Sequence, residues 1–95
     1  MPQTLQQRID ACLEKGSLSV ADIALWLDLP YPTVKSYRQG TLPQAARQRQ
    51  IEQRLTWLEH AIRTDPRLPV PLSVRARERK AYLQGVFASV SRKRK

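Results

Sequence analysis

The chain has 95 residues, with 17 Lys and Arg against eight Asp and Glu, and a single cysteine. That length allows one domain, or a domain with an appendage, and buries a limited core, so self-association is expected. An apolar content of 41% excludes wholesale disorder, the lone Cys12 excludes an intrachain disulfide, and no apolar run is long enough to span a bilayer.

The opening residues MPQTLQQRID lack the basic-then-apolar pattern of a secretory leader, so a reducing, cytoplasmic setting is expected. The formal charge of +9 is unevenly placed. Residues 75–95 carry Arg75, Arg77, Arg79, Lys80, Arg92, Lys93, Arg94 and Lys95 against Glu78 alone; eight cations less one anion leave +7 there and +2 for the other 74 residues. A basic tail on a nearly balanced body fits a polyanionic partner, nucleic acid first, with an acidic membrane surface, an acidic protein groove or a merely solubilising tail as alternatives.

In chain order, residues 4–15 read as an amphipathic helix, with Leu5, Ile9, Cys12 and Leu13 at helical spacing, Thr4 as its cap and Gly16 as its stop. Ser19 is a second N-cap, with Asp22 as its capping-box partner, and opens VADIALWL, whose buried face would hold Val20, Ile23, Ala24 and Leu27. Asp28 and Leu29 break that helix, Pro30 and Pro32 restrict the backbone, and TVKSYRQ makes a further short helix ending at Gly40. Pro43 is expected to open a long helix to about Thr64. Its Ile51, Leu55, Leu58 and Ile62 are spaced four, three and four, a heptad seam that serves either a homodimer, the favoured reading, or packing within the chain. DPRLPVPL, at 65–72, holds three prolines and reads as a semi-rigid extended connector. Ser73 is expected to cap a last helix to about Ser91, with Tyr82, Leu83, Val86, Phe87 and Val90 inward, followed by RKRK, unstructured without a ligand. The chain therefore divides into 1–42, 43–64, 65–72 and 73–95, all-α throughout, since no alternation of period two is long enough for a sheet. Trp26 lies beside the stripe of its helix, where it can dock the long helix.

Residues 18–43 resemble the helix-turn-helix of phage repressors and Cro-like regulators. Ile23 and Ala24 stand where the first helix of that unit has a large and then a small apolar residue. Leu27 and Leu29 flank its turn, Val34 and Tyr37 face inward from its second helix, and Gly40, Thr41 and Pro43 match its exit. Asp28 occupies the turn position where the family usually has glycine; the turn calls for a left-handed backbone, which aspartate tolerates better than most residues. Tyr31-Pro32 at the start of the second helix is a further departure. The resemblance implies an N-terminal helix-turn-helix bundle and a sequence-specific regulator of transcription, of phage or mobile-element type, that binds double-stranded DNA and reads the major groove with residues 31–39. It would contact base edges through Tyr31, Thr33, Lys35 and Ser36 and phosphates through Ser19, Arg38, Gln39 and Thr41. A dimer joined through Ile51, Leu55, Leu58 and Ile62 would place two such helices about one helical turn of DNA apart. Alternatives are the DNA-recognition subunit of a phage packaging machine, similar to a small terminase, or a helical module that binds another protein.

Catalysis is not expected. One histidine, one cysteine, no clustered carboxylates and no glycine-rich phosphate loop leave no acid-base pair or nucleophile. His60 falls off the seam with no second ligand at metal spacing, and Cys12 reads as a core thiol, so neither a metal nor another cofactor is anticipated.

Overall fold

The computed structural model of the chain describes residues 3–93. Arg94 and Lys95, together with the side chains of Arg92 and Lys93, lie outside the described residues, and with them the expectation for the closing RKRK.

The first two helices each start where a hydroxyl takes up an otherwise orphaned backbone N–H. Helix α1, Leu5–Lys15, is opened by Thr4, whose hydroxyl accepts from the Gln7 amide at 3.1 Å while the Gln7 side chain accepts from the Thr4 amide at 2.9 Å. Helix α2, Val20–Leu27, repeats the device with Ser19 and Asp22 at 3.2 and 2.9 Å. Between them the left-handed residue is Ser17, at φ 52°, not Gly16. Gly16 is required for a different reason: a Cβ there would sit 2.9 Å from both the Cys12 carbonyl oxygen and Leu18 Cδ1. Asp28 ends α2 at φ 56° and ψ 47°, the left-handed conformation expected of it.

Helix α3, Tyr31–Arg38, follows after Leu29 and Pro30. It ends in a turn in which Gly40, at φ 103°, takes a backbone that residues with a side chain rarely adopt. Helix α4, Ala45–Thr64, begins two residues later than expected, with Gln44 as its cap, so Pro43 lies ahead of the first turn rather than in it. Helix α5, Ala76–Lys93, also starts later than Ser73 and runs past Ser91. Among the described residues these five helices account for all regular structure, without a strand, and no helix is long and apolar enough to cross a membrane.

A single core joins all five helices: Leu5, Ile9 and Cys12 of α1, Ile23, Ala24, Trp26 and Leu27 of α2, Val34 and Tyr37 of α3, Ile51, Leu55, Leu58 and Ala61 of α4, and Leu83, Val86, Phe87 and Val90 of α5. Helix α3 packs on α1 and α2, while α4 packs on α1, α2 and α5. The seam offered for dimerisation is therefore used inside the chain. Leu55 and Leu58 are wholly buried and Ile51 is 3% exposed, so they cannot meet a second copy without opening the core; Ile62 is half-buried at its edge. A heptad spacing reports one apolar face on a helix and is silent on whether the covering surface comes from the same chain.

Residues 65–75 form no helix, and the stretch 65–70 is held against this body. Leu68 and Val70 are buried, the Val70 amide donates to the Gly16 carbonyl at 3.0 Å, and the Tyr82 hydroxyl donates to the Arg67 carbonyl at 2.7 Å. The Asp65 carboxylate, itself buried, takes up the Arg67 guanidinium at 2.7 Å. The Cα radius of gyration, 12.8 Å, is what close packing gives a chain of this length, so α5 lies back on the core.

Two stability measurements test this packing. Leu55→Ala removes side-chain atoms from a site with no solvent access and should cost about 2–5 kcal/mol in urea denaturation; a cost below about 1 kcal/mol would mean that the site is not core. Asp28→Gly replaces a left-handed aspartate, whose carboxylate makes no hydrogen bond among the described residues, with the residue that adopts this backbone freely. It should be neutral or stabilising by up to roughly 1 kcal/mol, and a clear fall in melting temperature would contradict the assignment.

Candidate functional site

Helix α3 turns only Val34 and Tyr37 into the core, three residues apart on one side of a two-turn helix. The opposite side carries Pro32, Lys35 and, just beyond the last turn, Gln39, all exposed. Tyr31 is half exposed at 50%. Thr33 and Ser36 are half-buried along one flank, and Arg38 lies on the other. The helix has no side-chain cap, and Pro32 brings no N–H to its first turn, so its amino end offers fewer free donors than most.

The expected contact residues do not form one patch. Thr33, Ser36 and Thr41 line a groove together with Pro32, Tyr37, Leu42, Pro43, Gln44 and Arg47. It is an open trough of about 600 Å³ between α3, the 40–44 loop and the first turn of α4. Arg38 instead turns toward α1, where its Nε donates to Asp10 at 2.8 Å while its carbonyl accepts from the Gln6 side chain at 2.7 Å. These contacts tie the end of α3 to α1, so Arg38 is engaged by the protein itself; both partners of the ion pair are solvent-exposed, which makes it weak. Ser19 sits at the start of α2, apart from the trough. The charge of that helix end is already met by Asp22, which bonds the Ser19 amide at 2.9 Å and the Arg79 guanidinium at 2.7 Å. Arg79 also reaches the Ser17 carbonyl.

Arg47 was not among the residues singled out from the sequence as candidate contacts, nor was Leu42, which is 67% exposed on the rim of the trough. One signal pointed to this surface: no Asp or Glu occurs between Asp28 and Glu52, while Lys35, Arg38, Arg47 and Arg49 do. Elsewhere four of the eight carboxylates are in ion pairs, Glu59 with Arg8, Asp10 with Arg38, Asp22 with Arg79 and Asp65 with Arg67. Of Lys35, Arg38, Arg47 and Arg49 only Arg38 is in an ion pair among the described residues.

No known protein family, curated protein or solved structure matches the chain.

The remaining perturbed groups belong to the scaffold. Arg8, with its Nη2 2.8 Å from Glu59, has its pKa raised by that hydrogen bond against the opposing effect of burial. Arg54 has its pKa lowered by burial, with the charge of Asp28 acting the other way. A pocket of about 250 Å³ beside Cys12 is lined by Ala11, Lys15, Glu59, Ile62 and Arg63. Burial, helped by Glu59, pushes the Cys12 thiol up to about 11 while Arg8 and Lys15 oppose the shift, so the thiol is protonated at neutral pH. His60 is exposed, and no group of three potential metal ligands occurs among the described residues.

Because the folded thiol holds its proton more tightly than an ordinary cysteine of pKa about 8.5, its contribution to stability is complete below that pH and is lost as pH rises toward the folded value. The melting temperature of the wild type should therefore fall more steeply between pH about 8.5 and about 11 than that of Cys12→Ala. Parallel curves for the two proteins would show that the thiol is not held protonated by burial.

Proposed function

We propose that the chain is a sequence-specific double-stranded DNA-binding regulator of transcription, with residues 20–39 acting as a helix-turn-helix that lays α3 in the major groove. The observation that carries this reading is the α3 surface. A short helix with only Val34 and Tyr37 turned inward leaves Tyr31, Pro32 and Lys35 exposed, and no carboxylate occurs in the sequence between Asp28 and Glu52. A major groove admits a helix, and its base edges can be read by the side chains that such a helix leaves outward.

The turn supports the same reading. Asp28 in the left-handed region reverses the chain within three residues, and the buried Ala24 beneath it lets α2 and α3 approach closely. On this reading Lys35 meets base edges, with Tyr31 beside it at the amino end that usually reads the bases. Gln39 and Thr41, exposed at the other end, are placed for the backbone. Arg38 would reach a phosphate only after leaving Asp10. Residues 65–72 act on this reading as the link that returns α5 to the body. The basic residues beyond Arg75 add sequence-independent attraction to the duplex.

The test is selection of bound duplexes from a random pool, followed by titration of the winning sequence and of random duplex with wild type and with Lys35→Ala. The variant should lose on the order of 1–3 kcal/mol on the winning sequence for the specific base contact removed, and less on random duplex. Equal loss on both duplexes would make this residue a phosphate contact. Absence of any duplex binding at about 50 mM salt, where basic proteins hold DNA well, would end the DNA reading.

A further inference from the structure

We propose that the trough beside α3 seats the sugar-phosphate backbone of one DNA strand, with Arg47 as its cationic contact. This rests on the DNA reading above and adds to it the surface that fixes how α3 is placed in the groove.

The chemistry of the trough is that of a phosphodiester site. Its polar lining consists of hydroxyls from Thr33, Ser36, Tyr37 and Thr41, the Gln44 amide and the Arg47 guanidinium: all can donate, and none is a carboxylate. Its apolar lining, Pro32, Leu42 and Pro43, suits the faces of deoxyribose rings between phosphates. Leu42 is an exposed large apolar residue that the core leaves unused, and it stands on this rim. Arg47 is exposed and makes no hydrogen bond or ion pair among the described residues, unlike Arg38 on the opposite flank of α3. The trough runs alongside the helix that would occupy the groove, where a strand bordering that groove has to pass.

The assignment divides the lining of α3. Thr33 and Ser36, at the trough and half-buried, belong to the backbone contacts rather than to the base-edge set, whereas Lys35 lies outside the trough. Backbone contacts set register and orientation and are indifferent to sequence.

The experiment measures affinity for a labelled random-sequence duplex and for a selected one between about 50 and 200 mM salt, using wild type, Arg47→Gln and Arg63→Gln. Arg63 is exposed near the other end of the same helix and serves as a control of equal charge change. Both variants should keep the helical circular dichroism of the wild type. Arg47→Gln should weaken both duplexes by the same factor and lower the slope of log affinity against log salt by about one, while Arg63→Gln leaves the slope unchanged. If wild type binds duplex but Arg47→Gln keeps its slope, or both variants lose it equally, the trough is not the backbone seat although the DNA reading survives. If wild type binds no duplex, both fail together.

Discussion

The carbonyls of the last turn of a helix have no partners within it, and at the end of α2 Arg54 of α4 supplies one to Trp26. Its guanidinium donates to the Trp26 carbonyl through Nε at 3.0 Å and Nη2 at 2.7 Å, while the Trp26 indole N–H donates back to the Arg54 carbonyl at 2.8 Å. The same guanidinium lies 4.2 Å from the Trp26 ring centroid, and the far side of the core supplies Phe87 at 5.0 Å. A cation at the carboxyl end of a helix also meets the negative end of its dipole. One residue pair thus closes α2, joins it to α4 and sets the indole against α5. The turn at Asp28 begins two residues after Trp26, so the direction in which α3 leaves is set from this anchor.

From this anchor the elements divide the labour. Helices α4 and α5 brace α2, with Arg79 pairing the Asp22 carboxylate that also caps it, and α1 holds the far end of α3 through Gln6 and Asp10. Lys35, Arg47 and Arg49 take part in none of these joints, and among the described residues α3 packs on no helix but α1 and α2. A braced frame carrying a lightly covered helix with unpaired cations on it and near it is the physical basis of the proposed interface.

Much of this frame was legible in the sequence where the determinants are local. Thr4 with Gln7 and Ser19 with Asp22 lie three residues apart, and the left-handed turn at Asp28 was expected from the resemblance, which puts at that position a backbone that aspartate tolerates. Periodicity gave Ile23, Ala24 and Leu27 of α2 and Leu83, Val86, Phe87 and Val90 of α5 as inward, but it set Trp26, which is fully buried, beside the stripe and counted Val20 and Tyr82, which are half-buried. The seam at Ile51, Leu55, Leu58 and Ile62 could be seen as a face, but its cover could not, because that depends on α1, α2 and α5 folding over it. The Trp26–Arg54 bond joins residues 28 apart and leaves no periodic trace. The trough was hidden for the same reason. Arg47 reads on its own as one more charge on a solvated helix, and its neighbourhood with Thr33 and Leu42 exists only after the 40–44 loop turns α4 back. The start of α4 was misplaced because proline tolerates a first turn without requiring one.

The most direct test of the central claim is to follow backbone amide resonances of the isotopically labelled protein while an unlabelled duplex is added. If α3 is the reading element, the perturbed amides should cluster from Leu29 to Arg49, with the buried faces of α4 and α5 unmoved. Perturbations confined to residues 75–95 would show that only the basic carboxyl-terminal segment meets DNA and would contradict the assignment of α3.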